Sequence, residues 1–151
     1  MTAIDEMLER NKTAAVYHPS GLGPSPLKGL AMVLCMDCRV DAHVAFQLNP
    51  GEIHLMRNAG GVVSDDVIRS LAISQHALGT REVMVVQHTK CGMHGLDENA
   101  LALRIEAAAG TPPVPPACPD LDGPQRRRLV DPPPGGAAGH SSCLHGRRIR
   151  R

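Results

Sequence analysis

The sequence LAMVLCM, residues 30–36, decides the fold class. A continuous apolar run of this length is typical of a strand that is buried on both faces. A second such strand is predicted at Glu82–Gln87, which is rich in valine, and a third at Glu52–Met56. Strands that are covered on both faces occur mainly in parallel sheets, where helices form the crossover connections. The three segments therefore predict a mostly parallel sheet.

Helices are predicted between and after these strands. The clearest begins after Ser64, has two aspartates in its first turn, where the helix dipole favours anions, and is followed by Gly79. The others are predicted at Val40–Leu48 and Asp97–Ala109. Strands alternating with helices in this way predict a single α/β domain with right-handed crossovers.

The chain divides into three parts by composition. Residues 1–27 comprise a predicted helix, Thr2–Asn11, and a linker arm rich in proline, glycine and serine. Residues 28–110 form the predicted α/β core. Residues 111–151 contain nine of the 13 prolines and seven arginines, without strand or helix periodicity. We expect this last part to be a disordered tail.

Composition excludes several classes of function. The chain of 151 residues has one Phe, one Tyr and no Trp, so it lacks the aromatic platforms on which nucleic-acid modules stack bases. No apolar run approaches the roughly 18–20 residues that span a membrane. The polar N-terminus does not look like a signal peptide, and five cysteines without an export signal indicate a reducing compartment. We expect a cytoplasmic enzyme without nucleic-acid or membrane partners.

Two short motifs follow predicted strands. The motif CMDCR, residues 35–39, ends the strand predicted at residues 30–36, and HTKCG, residues 88–92, follows the strand predicted at Glu82–Gln87. Ligand sites in open parallel sheets collect beyond the carboxyl ends of strands, and neighbouring strands lie about 4.8 Å apart. Cys35, His88 and Cys91 could therefore converge on one metal ion, for which zinc is the best fit.

The fourth coordination position decides the chemistry of such a site. Water, Cys38 and Asp37 are the candidates. Cys38 would close a structural zinc knuckle, whereas water would leave an open, catalytic site. An ion pair with Arg39 would keep Asp37 ionised and oriented, ready to accept a hydrogen bond from the reacting water.

Taken together, these motifs resemble the bacterial branch of the β-class carbonic anhydrases. The similarity extends over about residues 28–110, with a faint echo at Pro119–Asp122. Besides the two metal motifs it includes MRNAGG at residues 56–61, DDVIRSL at residues 65–71 and LGTRE at residues 78–82. The resemblance implies a three-layer sheet of the β-carbonic anhydrase type.

The resemblance also implies a function and a set of roles. The activity would be reversible hydration of carbon dioxide to bicarbonate with one zinc ion per chain, in a homodimer or higher homo-oligomer that the N-terminal helix helps to form. Zinc would be bound by the two cysteines and the histidine, and Asp37 and Arg39 would form the catalytic dyad, with Asp37 also a possible fourth ligand. Cys38 would be a packed small residue and not a ligand. The residues expected to bind substrate are Asn58, Ala59, Gly60 and Gly92.

The C-terminal end departs from the family pattern. Family members normally continue beyond the position of Asp122 with a helix and a strand at the sheet edge, and nothing after Asp122 predicts either. The alternative is thus a truncated or degenerate member, or a structural zinc module closed by Cys38, that binds zinc without catalysis. The sequence does not exclude carbon disulfide or carbonyl sulfide as the substrate.

Overall fold

A computed structural model describes residues 1–113 and the strand at residues 144–150. Its four strands are β1 (Leu30–Cys35), β2 (Ile53–Asn58), β3 (Glu82–His88) and β4 (Leu144–Arg150). Its four α-helices are α1 (Ala3–Ala14), α2 (Ala42–Ala45), α3 (Asp65–His76) and α4 (Glu98–Ala109). Short 3₁₀ turns follow α1 at Ala15–Tyr17 and β2 at Ala59–Gly61.

The strands form one sheet in the order β2-β1-β3-β4. Strand β1 pairs in parallel with both β2 and β3, and Leu34 lies opposite Arg57 on one side and Val86 on the other. This arrangement confirms the predicted α/β class and its parallel sheet. It also brings the carboxyl ends of β1 and β3 together at one edge of the sheet.

The sheet is covered on both faces. Met32, Leu34 and Val86 pack with Ala42 of α2 on one face. Val33 and Val85 point to the opposite face of the sheet, where they pack against α3. Because successive strand residues alternate between faces, a continuous apolar run fills both cores. The sheet and the helices packed on its two faces form the three layers that the family resemblance implied.

Polar side chains cap the N-termini of the α-helices, with one exception. Thr2 accepts a hydrogen bond from the backbone N–H of Asp5, whose carboxylate bonds back to Thr2, and Asp97 caps α4 in a similar way. Ser64 occupies the N-cap position of α3 as predicted, but its side chain makes no capping hydrogen bond among the described residues. The first turn of α3 instead carries two aspartates beside its positive end.

Strand β4 differs from the expectation of no regular structure after Gly110. It pairs antiparallel with β3 over Glu82–His88 and completes an edge of the sheet. A sheet edge presents unpaired backbone groups, which a segment of modest strand propensity can satisfy. Residues 114–143 and 151 lie outside the described residues, and the expectations for them, including the echo at Pro119–Asp122, stay predictions.

Helix α1 lies apart from the core. In the described part of the chain none of its residues is buried, and its apolar side chains Ile4, Met7 and Leu8 are exposed. Nor is any helix of the described residues long and apolar enough to cross a membrane.

Candidate metal centre

Three of the predicted metal ligands meet at one edge of the sheet. Cys35 is the last residue of β1, His88 is the last residue of β3, and Cys91 lies in the turn that follows. All three are buried, and their ligand atoms lie within 4.8 Å of one another. The pairing of β1 with β3 is the cause, since it places both strand ends side by side.

The imidazole of His88 has one nitrogen available for a metal. Nδ1 lies 3.0 Å from the carbonyl oxygen of Thr89, which can only accept, so Nδ1 carries the proton. Nε2 then holds a lone pair, and it is buried without a hydrogen-bond partner in the described structure. A buried polar atom without a partner is costly unless a cation or water satisfies it. His88 is therefore oriented as a ligand.

The two sulfurs are spaced for a shared ion. The Sγ atoms of Cys35 and Cys91 lie 3.7 Å apart, and within the described residues neither cysteine forms a disulfide bond. A disulfide would need about 2.05 Å. Two metal–sulfur bonds of about 2.3 Å at a tetrahedral angle place the sulfurs about 3.8 Å apart. The donor set and its spacing thus fit a tetrahedral metal ion.

A carboxylate–guanidinium pair adjoins this cluster. Arg39 donates from Nε to Oδ1 of Asp37 over 2.9 Å and from Nη2 to Oδ2 over 2.5 Å, a bidentate arrangement. The hydrogen bonds from Arg39 hold the pKa of the Asp37 carboxyl well below its usual range, and the same pair raises the pKa of Arg39. The Asp37 side chain is only 11% exposed. Asp37 therefore stays ionised beside the cluster.

Arg39 also joins the two loops that carry the ligands. Its Nη2 donates to the carbonyl oxygen of Lys90 over 2.9 Å. Lys90 has a φ of 53°, a left-handed conformation that is uncommon for a residue with a side chain. One guanidinium consequently contacts both the loop after β1 and the turn after β3.

Comparisons with known proteins agree with this geometry. A family profile described as "Carbonic anhydrase" matches residues 30–107, which include the three candidate ligands and the Asp37–Arg39 pair. The chain belongs to the β-carbonic anhydrase family.

Individual relatives support the same assignment. The protein named Beta-carbonic anhydrase 1 of Mycobacterium tuberculosis (strain H37Rv) is 43% identical over 114 residues, which cover 76% of this chain and 70% of the relative. A carbonic anhydrase structure from Streptococcus mutans superposes with a TM-score of 0.67 at 35% identity, covering 74% of this chain and 68% of that one. A carbon disulfide hydrolase of Saccharolobus solfataricus is 38% identical over 90 residues, which cover 60% of this chain and 43% of that protein.

In this family member, Cys38 is exposed, so the prediction of a packed residue is wrong. Among the described residues it does not belong to the ligand cluster. The loop places Oδ2 of Asp37 3.8 Å from Nε2 of His88 and buries Val40, whereas the two side chains between them, Cys38 and Arg39, are exposed.

The turn after β2 lies against the metal centre. Gly61 has a φ of 61°, and a Cβ built there would lie 2.7 Å from the backbone nitrogen of Cys35. The Asn58 side chain braces this turn by donating to the carbonyl oxygen of Val62 and accepting from its N–H. By contrast, a Cβ on Gly92 would meet no described atom within 4 Å, so no close backbone approach occurs there.

Two residues near the centre were given no role from the sequence. Gln87 is buried and donates from Nε2 to the carbonyl oxygen of Gly61 over 2.8 Å. Arg57 contacts the loop that follows β1. In the sequence, Gln87 stands out as a polar residue at the end of an apolar run, directly before His88. Because a buried amide needs a specific hydrogen-bond partner, this position could have indicated its role. For Arg57 the only signal was its place at the carboxyl end of β2.

Proposed function

We propose that this member of the β-carbonic anhydrase family binds one zinc ion through Cys35, His88 and Cys91 and catalyses the reversible hydration of carbon dioxide to bicarbonate. The observation that carries the proposal is the position of the ionised Asp37 carboxylate beside the three converging ligand atoms. A structural site would have no use for an oriented carboxylate next to an incomplete ligand set.

Zinc fits the residues that are present. Two thiolates and one imidazole suit a borderline-soft tetrahedral ion, and three protein ligands leave a fourth position for water. When bound, zinc would lower the pKa of a coordinated water molecule and so supply the nucleophile near neutral pH. The Nδ1–H of His88 donates a hydrogen bond to the carbonyl oxygen of Thr89, which keeps the ligand nitrogen Nε2 aimed at the cluster.

Asp37 would orient the reacting water by accepting its hydrogen bond. Both carboxylate oxygens already accept hydrogen bonds from Arg39, which restrains Asp37 from turning further toward the cluster. We propose the open arrangement as the active one. Asp37 would become the fourth ligand only if its pair with Arg39 broke.

The substrate would lie against the turn after β2. Asn58 is the register partner of Cys35, so Ala59 and Gly60 begin next to the ligand. Carbon dioxide is small and apolar, and it would be held by backbone close to the metal and not by charged side chains. The Asn58 side chain is committed to the turn, so its contribution would be to hold the backbone. Gly92 would contribute open space beside Cys91.

We further propose that the active form is a homodimer or higher homo-oligomer in the cytoplasm. The apolar side chains of α1 are exposed in the single chain, and apolar helix faces are stabilised by burial. A second copy of the chain would cover them.

The similarity to proteins named carbon disulfide hydrolase favours one second candidate. Carbon disulfide is also a small linear electrophile, and the same ligands could activate water toward it. By contrast, the exposure of Cys38 speaks against the closed structural module. A family member that binds zinc without catalysis is the outcome that the experiment must exclude.

The test measures zinc per chain and the rate of carbon dioxide hydration for the wild type and Asp37→Asn. Asp66→Asn, in the exposed first turn of α3, is the matched control. We expect equal zinc in all three proteins and a rate about 100-fold or more lower in Asp37→Asn alone, since positioned acid–base groups contribute about 10²–10⁴-fold. A zinc-loaded wild type that hydrates no carbon dioxide contradicts the proposal, and hydrolysis of carbon disulfide by that protein supports the second candidate.

A further inference from the structure

Arg57 makes three hydrogen bonds to the end of β1 and the loop that follows it. Its Nε donates to the carbonyl oxygen of Cys35 over 3.0 Å. Its Nη2 donates to the carbonyl oxygen of Asp37 over 2.8 Å and to that of Val40 over 2.9 Å. All three acceptors are backbone atoms of the segment 35–40, which carries one metal ligand and the dyad carboxylate.

This segment has few other backbone hydrogen bonds to hold it. The N–H of Met36 donates to the carbonyl oxygen of Asn58, and that of Val40 donates to the carbonyl oxygen of Asp37. Within the segment, the Arg39 N–H also donates to Oδ1 of Asp37 over 3.0 Å. The sheet pairing of β1 with β2 ends at Cys35, so residues 37–40 have no ladder partner among the described residues. A planar guanidinium suits this gap because its donors are fixed in one fork and can serve several carbonyls at once.

Two arginines therefore hold Asp37 from opposite ends. Arg39 binds its carboxylate, and Arg57 binds its backbone carbonyl. Arg57 also binds the carbonyl of Cys35, whose sulfur lies 3.7 Å from that of Cys91. A shift of the backbone at either residue would move a side chain that points at the cluster.

We propose that Arg57 is a positioning residue that fixes the segment 35–40, so that the Cys35 sulfur and the Asp37 carboxylate keep their places relative to His88 and Cys91. Its effect on catalysis rests on the proposed function, whereas its effect on the metal centre does not. Arg57 acts through the backbone and need not touch substrate.

The experiment uses the full-length chain loaded with cobalt in place of zinc, because cobalt absorption reports ligand geometry directly. The variants are Arg57→Gln, which removes the charged fork, and Arg57→Lys, which keeps the charge but not the planar geometry. Arg104→Gln, on the exposed surface of α4, is the matched control for loss of one positive charge. For each protein we would record the cobalt spectrum, metal affinity by chelator competition, the melting midpoint, and kcat and KM per bound metal.

We expect Arg57→Gln to alter the cobalt bands and to lower metal affinity or kcat per bound metal by about 10–100-fold, the usual effect of losing a group that orients ligands. KM should change little, and Arg57→Lys should lie between Arg57→Gln and the wild type. If Arg57→Gln does not fold, the cobalt spectrum and metal affinity of Arg57→Lys alone test the proposal.

A merely structural role gives a different result. Variants with a lower melting midpoint but a wild-type cobalt spectrum, affinity and kcat per bound metal would overturn the proposal. A wild type without carbon dioxide hydration would refute the proposed function alone, since the spectrum and the affinity still report whether Arg57 positions the ligands.

Discussion

Oδ2 of Asp37 lies 3.8 Å from Nε2 of His88, although Asp37 follows β1 and His88 is the last residue of β3. The carboxylate adjoins the ligand nitrogen without hydrogen bonding to it, and Arg39 accounts for that position by binding both carboxylate oxygens. An acceptor thereby lies beside the candidate metal centre, and in the proposed zinc site this arrangement would leave the fourth coordination position to water.

Activity of the proposed enzyme should rise with pH through the neutral and alkaline range. The pKa of Asp37 lies well below its usual range because of Arg39, so Asp37 is ionised throughout and cannot cause the rise. The inflection should belong to the reacting water, whose acidity is lower beside two thiolates, which cancel the formal charge of zinc, than beside neutral ligands. Initial rates between about pH 6 and 9 test this, since a group titrating in that range produces a sloped profile. A flat profile in an active preparation would contradict it.

The two cysteines of the loop after β1 should differ sharply in their effect on metal content. Cys35→Ser removes a buried sulfur of the cluster, so we expect the protein to lose its zinc on dialysis. Cys38→Ser, the matched control in the same loop, changes an exposed side chain outside the cluster, and this variant should keep one zinc ion per chain. Zinc per chain by elemental analysis measures both. Equal loss from the two variants would instead favour the closed structural site.

Gly61→Ala should be strongly destabilising, whereas Gly92→Ala should fold normally. A Cβ at Gly61 meets backbone atoms of Cys35, Leu34 and Val86 within 3.1 Å, and its φ is positive. Overpacking and left-handed strain together cost about 2–5 kcal/mol. Gly92 has open space, so its substitution should change the free energy of unfolding by no more than about 0.5 kcal/mol. Denaturant unfolding compares them, and equal midpoints would show that the turn can move away from β1.

The stabilising effect of Glu52 should depend on pH. Its carboxylate accepts a hydrogen bond from the Asn49 N–H over 3.0 Å and pairs with Lys28 over 3.3 Å, and these contacts, the Asn49 bond first, lower its pKa. A lowered folded-state pKa stabilises the fold above the ordinary value of 4.5, and the benefit is lost as pH falls through the lowered one. Glu52→Gln should thus be less stable than wild type at neutral pH and equal to it in strong acid. A difference in unfolding free energy that does not vary with pH would exclude this linkage.

Much of the core was predictable because its signals are local. The apolar run at residues 30–36 matches β1, and the glycine after the helix at residues 97–109 adopts the left-handed conformation that ends α4. Helix α2 is shorter than predicted, because the chain turns at Phe46 and Gln47, where Gln47 has a φ of 51°. The lack of a capping bond from Ser64 was likewise not predictable, since a cap depends on a side-chain rotamer that the sequence does not specify.

The sequence by itself determined the strands and the residue types at their carboxyl ends, and so the presence of two thiols and an imidazole at one edge of a parallel sheet. Only the tertiary structure decided which side chains face that edge: Cys38 turns outward, Gly61 packs on the backbone of Cys35, and Arg57 reaches across from β2. The same holds for β4, which satisfies the edge of β3. Hydrophobic periodicity and helix-capping residues depend on residues that are close together in the sequence. The contacts of Gly61, Arg57 and β4 join distant segments and exist only once the sheet has assembled.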